Sequence, residues 1–337
     1  MERRRRGQEA VKLGNYFVED KPLELISSGS TLLDCVLGGG YPIGRVVNIV
    51  GDKSTGKTLL AIEAIINFLR KYPMGNAYYH EAESAFDKGY AQALGLPIEN
   101  VTFTTDDFED TTNDGTMEFL FEVMSSVIKQ KGDEPGIFIV DSLDSLSTRE
   151  EKKRKIDEGS YKMDKAKTSS EMFRRLTNDI ARTRLLFIII SQVRDNIGVT
   201  FGKKYRRTGG KALDFYTSQV LWLSEMEKLY RVMDKVKRNV GVDIKARCEK
   251  NKISLPFREC QFPIMFGYGI DDVTACLEWL KSIDALDELG LSPRTMAKES
   301  ERIKAESDNR MKSKISRLVR NRWKEIETGF LPSYSKY

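Results

Sequence analysis

Histidine occurs once in the 337 residues, as His80, and there are four cysteines and nine prolines. Each scarcity excludes something. Cys35, Cys248, Cys260 and Cys276 form no C-x-x-C pair, and one histidine cannot complete a zinc-ligand set. Neither a zinc module nor a disulfide framework is expected, and a reducing compartment fits. A Ser-His-Asp hydrolase would have to rest on His80 alone. No run of residues has the uninterrupted apolar length of a membrane span. The start, Met1-Glu2-Arg3-Arg4-Arg5-Arg6, lacks the apolar segment of a secretory signal. The expectation is a cytoplasmic protein without a membrane partner. Excess charge is also small: 55 basic against 50 acidic residues leaves +5, too little to prove a polyanion partner. Its distribution says more. Basic residues gather at Arg3–Arg6, at Lys203–Arg207 and in the C-terminal region, while Asp106–Asp114 is acidic. Any one of these runs, taken alone, reads as a solvated surface.

What is present is a phosphate-binding loop. Gly51, Asp52, Lys53, Ser54, Thr55, Gly56, Lys57 and Thr58 satisfy G-x-x-x-x-G-K-[ST]. The apolar run 46–50 precedes them, and a helical pattern, Leu59-Leu60-Ala61-Ile62 with Ala64-Ile65-Ile66, follows. Strand, turn and helix form the context that lets backbone N–H groups and a helix N-terminus hold phosphate. Lys57 would reach the terminal phosphates and the Thr58 hydroxyl would hold Mg²⁺. A nucleoside triphosphate is thereby implied.

Along the chain, 1–26 reads as an arm for oligomerisation, 27–270 as the core and 271–337 as a C-terminal helical basic region. Ser27–Ser30 and the glycines at 38–40 bracket a short helix. Strands are expected at 77–80, 101–103, 136–141 and 185–190, and helices near 86–94 and 117–130. Residues 149–168, highly charged and poor in aliphatics, read as a mobile loop, with a helix resuming at Met172, Phe173, Leu176 and Ile180. From residue 218 the pattern turns to strands, 219–223, 242–248 and 260–266, as an antiparallel extension. The fold class is α/β, a mostly parallel central sheet with its site at the strands' carboxyl ends. There Asp141 closes a buried strand, the place of a carboxylate that serves Mg²⁺. Glu83 or Glu81 would be the base that deprotonates water, and residue type does not choose between them. Gln192, ending another buried strand, is a phosphate sensor or an ordinary strand-end amide.

Four stretches together resemble the RecA-type recombinases: Gly51–Thr58, Glu81–Asp87, Ile139–Ser142, and Ser191–Gly202 with its continuation Thr208–Tyr216. Lys250–Phe257 extends the match, which covers about residues 25–270. The resemblance implies a RecA-like ATPase with ATP and Mg²⁺ as cofactors, acting on single-stranded and homologous duplex DNA as a helical homo-oligomeric filament. By position it makes Glu83 the catalytic glutamate, Gln192 the γ-phosphate sensor, and Asp87 and Tyr90 the adenine contacts. Lys250 and Lys252 match a pair that reaches the neighbouring subunit's ATP; without the family they are surface lysines. Arg194, Ile197, Gly198, Phe201, Lys203, Lys204, Arg206, Arg207, Gly209 and Gly210 fall in the second DNA loop, with Ile197 as a wedge between bases.

The first DNA loop, near 154–168, matches the bacterial pattern poorly. Met163 would be its wedge, and Arg174 a phosphate contact after it. Lys165-Ala166-Lys167 is similar to phage-type members of the superfamily. The C-terminal region departs too. Met311, Ile315, Leu318, Val319, Trp323 and Ile326 make a helical stripe among Arg310, Lys312, Lys314, Arg317, Arg320, Arg322 and Lys324. It is either a helix docked on its own domain or a gateway for duplex DNA. Two rivals to the recombinase are a ring-forming motor of the same fold and an ATP-gated DNA-binding or loading protein without strand exchange.

Overall fold

The apolar runs become strands of one sheet, and strand order decides where the chemistry lies. The computed structural model describes residues 23–83, 86–104, 114–154, 162–195, 205–206 and 210–332, with backbone alone for 162–163, 194–195, 205–206 and 210–212. β1 (Leu25–Ile26) pairs with β2 (Tyr41–Pro42), with α1 (Thr31–Leu37) between them. The Ser30 hydroxyl accepts the Leu33 N–H to start α1, and Gly38 ends it at φ 86°. β3 (Val46–Gly51) feeds α2 (Lys57–Lys71), followed by β4 (Asn76–Glu81), α3 (Lys88–Ala93), β5 (Val101–Phe103), α4 (Met117–Gln130) and β6 (Gly136–Asp141). Next come α5 (Arg149–Lys153), α6 (Lys162–Arg182), β7 (Leu185–Gln192), β8 (Arg194–Asp195), β9 (Tyr205–Arg206) and α7 (Gly210–Tyr216). The chain ends in β10 (Gln219–Met233), β11 (Val236–Asn251), β12 (Arg258–Met265), β13 (Gly269–Ile270), α8 (Asp272–Ser282), α9 (Met296–Ala305) and α10 (Asn309–Gly329).

Among the described residues, nine strands form one sheet in the order β13-β12-β11-β10-β3-β7-β6-β4-β5. β10 and every strand from β3 to β5 run parallel, while β10 to β13 are antiparallel neighbours. This is the parallel body with an antiparallel extension that the sequence patterns predict. β3 and β6 are buried at every residue because apolar side chains cover both faces of the sheet. One cluster joins α1, α2 and side chains of α8–α10; the other joins α4 and α6. Register then collects the polar strand ends: Gly51 lies opposite Gln192, and Glu81 opposite Asp141.

Two expectations change. The segment 149–168 is not one loop: α5 and the first turns of α6 lie within it, and 155–161 are outside the described residues. Charge hid these helices. α5 holds itself by a capping box, Thr148 with Glu151, and Arg154 pairs with Asp164 at 2.6 Å. α6 needs apolar residues only where it meets the sheet, at Met172, Phe173, Leu176 and Ile180. Second, the strands expected at 219–223 and 242–248 continue far past the sheet as a hairpin. Asp234 and Lys235, both at positive φ (49° and 65°), make its turn. Residues 224–228 and 230–239 are exposed, so neither face imposes the alternation that reveals a half-buried strand.

The C-terminal stripe docks on its own chain except at Ile326, which is exposed. Ile315 and Val319 are buried in the first cluster, with Met311, Leu318 and Trp323 packed against it. Arg258 grips Glu327 through Nε and Nη2 at 2.6–3.0 Å. Among the described residues no helix is long and apolar enough to cross a membrane.

Candidate active site

The loop between β3 and α2 is shaped by two glycines. A Cβ at Gly51 would stand 2.5 Å from Thr55 Oγ1, and one at Gly56, φ 82°, would stand 2.3 Å from Ile264 Cδ1. Gly56 supplies no capping side chain, so the first N–H groups of α2 remain suited to an anion. Thr55 Oγ1 donates to the Asp52 carbonyl at 2.8 Å and Lys57 Nζ to the same carbonyl at 2.6 Å. Burial pushes the Lys57 ammonium down from its ordinary pKa, while Asp141, Glu83, Asp52 and Asp144 pull it back up. Asp52, Lys53 and Ser54 are exposed on the loop's outer side.

Asp141 Oδ2 accepts from Thr58 Oγ1 at 2.7 Å and from the Tyr79 hydroxyl at 2.8 Å. Burial raises the carboxyl above the usual range, and these two donors oppose that shift. Thr58 and Asp141 thus place hard oxygen donors together at the helix start, a set that suits Mg²⁺. Burial also drives the Tyr79 phenol well above its ordinary value, which keeps it a donor to Asp141.

Glu83 and Gln192 meet directly. Glu83 Oε1 accepts from Gln192 Nε2 at 2.6 Å and from the Ser142 hydroxyl. Glu81 stays behind it, its Oε1 accepting the Glu83 N–H at 3.1 Å. Asp87 caps α3, taking the Tyr90 N–H at 2.9 Å, and Tyr90 packs against the first cluster. His80 is buried with Nδ1 near Thr104, and burial pushes its imidazole down to about 4.

Lys250 and Lys252 lie at the opposite ends of the strands. Val220 pairs with both Lys250 and Asn48, whereas Leu223 pairs with Gly51. Lys250 Nζ donates to the carbonyls of Asp214 and Phe215, and Lys252 Nζ to that of Phe215 at 3.4 Å. Phe215 itself is 71% exposed. Of the expected DNA contacts, Arg174 is exposed on α6. The backbones of Met163 and Gly210 lie in α6 and α7, and register pairs Arg194 with Arg206. Ile197, Gly198, Phe201, Lys203, Lys204, Arg207 and Gly209 fall outside the described residues.

Sequence reasoning missed Tyr79, Ser142 and Asp144. Tyr79 reads as one more apolar residue of its strand, and only the register of β4 against β6 aims its hydroxyl at Asp141. Ser142 and Asp144 follow the strand-end aspartate, which was the one available signal.

The family model for the RecA N-terminal domain matches residues 2–271. Protein RecA of Prochlorococcus marinus is 34% identical over 318 residues, covering 90% of this chain and 80% of that protein. Protein RecA of Trichodesmium erythraeum is 34% identical over 268 residues, 80% of this chain and 70% of that protein. Protein RecA of Arthrospira platensis is 34% identical over 272 residues, 81% of this chain and 68% of that protein. A family match over most of the length, joined to a phosphate loop, a strand-end aspartate and a glutamate–glutamine pair along one sheet edge, leads to one conclusion: the chain belongs to the RecA family.

Proposed function

We propose that this chain is a DNA-dependent ATPase that forms a filament on single-stranded DNA and catalyses homologous pairing and strand exchange. The observation that carries the reading is the division of charged groups between the two ends of the parallel strands. Lys57, Thr58, Asp141, Glu83 and Gln192 stand at the carboxyl ends, and Lys250 and Lys252 at the amino ends. Copies stacked in one orientation bring the lysine end of one protomer onto the phosphate loop of the next. Such a head-to-tail contact joins unlike surfaces and, where it does not close into a ring, propagates as a helix. Exposed Phe215 would add apolar contact at that junction. Residues 1–26 would serve as an oligomerisation arm and 271–337 as an accessory region.

When bound, Mg²⁺–ATP supplies the electrophilic γ-phosphate, with Thr58 and Asp141 as protein partners of the metal and the Gly51–Thr58 loop as the phosphate cradle. Glu83 takes the proton from the attacking water. Lys57 and the neighbour's Lys250 and Lys252 neutralise the charge that grows on the phosphoryl oxygens. Gln192, which holds Glu83 through Nε2, passes the outcome to the segment that follows it by trading that partner for the γ-phosphate. Asp87 and Tyr90 flank the base of the nucleotide. Arg174 and the cations of Lys203–Arg207 neutralise DNA phosphates, and Met163 and Ile197 act as wedges. The bond broken is the terminal phosphoanhydride; strand exchange itself breaks no covalent DNA bond. Cytoplasm, bacterial or phage-infected, is the compartment this reading requires.

A strand-exchange assay with homologous duplex tests the proposal, together with electron microscopy on single-stranded DNA with an ATP analogue. Joint molecules and helical filaments are expected. DNA-stimulated hydrolysis without joint molecules would make the protein a loader, and closed hexamers a ring motor.

A further inference from the structure

Asp144 stands behind the site and has no role in the scheme above. It lies in the turn after β6 and is 7% exposed. Its Oδ2 accepts the backbone N–H of Gln192 at 2.8 Å. Its own main-chain carbonyl accepts Lys165 Nζ at 2.9 Å, and Lys165 is in the first turn of α6, within the stretch expected as the first DNA loop. The other carboxylate oxygen, Oδ1, is buried without a hydrogen-bond partner among the described residues. The charge of Asp144 also reaches Lys57.

Sheet register explains why a side chain is needed here. β6 accompanies β7 only as far as Val140 opposite Ile189. The chain then turns away, leaving one last ladder-like bond, Leu143 N–H to the Ile190 carbonyl at 3.1 Å. On its other edge β7 still pairs with β3, out to Gly51 opposite Gln192. The Asp144 carboxylate replaces the missing β6 partner for the final residue of β7. It therefore fixes the backbone from which the Gln192 amide reaches Glu83.

We infer that Asp144 is a positioning residue that couples the Gln192 sensor to the DNA-facing segments on either side, α6 through Lys165 and the stretch after β7. The inference rests on the recombinase reading. Held by Asp144, Gln192 can change only its side-chain partner, so hydrolysis follows the state of the DNA loops. Released, the strand end frays on one side and the amide loses its defined reach to Glu83.

The test measures ATP hydrolysis with and without single-stranded DNA, and the affinity for a fluorescent ATP analogue. The proteins are wild type, Asp144→Asn, Asp144→Leu and Asp144→Ala. Asn keeps an acceptor for the Gln192 N–H but drops the charge; Leu keeps the volume without an acceptor; Ala covers the case in which Leu misfolds. The ratio of stimulated to unstimulated hydrolysis should fall about tenfold in the Leu and Ala variants, the loss expected for one buried hydrogen bond to a charged acceptor. Nucleotide affinity should be the same in the Asn, Leu and Ala variants, which all lose the charge that reaches Lys57, and Asn should restore the ratio. Folded Leu or Ala variants with the wild-type ratio overturn the inference, as does an Asn variant uncoupled to the same extent as Leu. A wild-type protein whose hydrolysis ignores DNA overturns the recombinase reading and this inference with it. That failure is distinguishable because it precedes any substitution.

Discussion

At the carboxyl ends of β3, β4, β6 and β7, the polar groups satisfy one another within a single chain: Thr58 and Tyr79 on Asp141, Gln192 and Ser142 on Glu83. At the amino ends, Lys250 and Lys252 rest on main-chain carbonyls of Asp214 and Phe215, the latter an exposed residue. The first end is a site already wired for phosphate chemistry. The second offers cations and an apolar surface, with no phosphate cradle among the described residues. On the proposed reading, residues that work within one protomer are distinguished from residues that serve the next by which end of the strands they occupy, a property no local pattern carries.

The sharpest way to break the comparison is at the wired end. Glu83→Gln should lower ATP hydrolysis by about 10²–10⁴-fold, the usual contribution of a general base, while equilibrium nucleotide binding persists. Phosphate release and fluorescent-nucleotide titration read the two effects, and near-normal hydrolysis would move the base elsewhere. At the lysine end, Lys252→Ala should cost about 10²-fold in hydrolysis, the scale of one lost charge-stabilising donor, with nucleotide binding by the single protomer intact. Mixing the two variants equally sharpens the point. If each interface needs an intact Glu83 from one protomer and an intact Lys252 from the next, random head-to-tail assembly should restore roughly a quarter of the sites. Mixtures as inactive as their parts would place the lysines' action within one chain.

Support beneath the lysine end should respond to pH. α1 reaches this end through the Leu37 carbonyl, which accepts from Gln219 and Asn251. Within α1, Asp34 takes hydrogen bonds from Ser27 and Ser28, with Arg320 at 3.7 Å. Burial outweighs these partners and raises its carboxyl from 3.8 to about 6. The folded chain therefore binds this proton more tightly than the unfolded chain. The resulting stability is complete below the unfolded value and is lost as pH rises through about 6. A carboxyl that titrates at about 6 instead of 3.8 corresponds to roughly 3 kcal/mol. Asp34→Asn should flatten that part of the melting-temperature profile, and an unchanged slope would assign the titration to another group.

The smallest effect is expected on the C-terminal helix, where Lys314 and Arg317 are exposed. Because Ile315 and Val319 are buried in the main core, truncating the region would disturb the fold, and charge reversal is the cleaner test. Lys314→Glu with Arg317→Glu should weaken duplex binding several-fold and reduce the salt slope by about 2 if the helix meets duplex DNA. Unchanged slopes would leave it a docked helix alone.

Much of this was legible in advance, for identifiable reasons. β3, β6 and β7 are buried strands of a parallel sheet, so their apolar runs stand out without tertiary information. α4 was readable because its buried residues Phe119, Leu120, Val123, Met124 and Val127 keep helical spacing. The hairpin beyond Leu223 was not, because a strand solvated on both faces has no side to mark. α5 and the start of α6 were hidden for a related reason: capping and ion pairs, rather than burial, hold them. The family resemblance selects Glu83 over Glu81; in the structure Glu83 meets Gln192, while Glu81 lies opposite Asp141.

The sequence by itself determined the phosphate loop, the α/β alternation, the strand-end carboxylates and the membership of a family, because each is written in residues adjacent along the chain or spaced by a helix or strand period. Only the tertiary structure decided that the Tyr79 hydroxyl serves Asp141, that Asp144 completes the edge of β7, and that Lys250 and Lys252 lie at the far end of the strands from Lys57. Those relations depend on strand order and register, which arise when segments distant in sequence bury their apolar faces together.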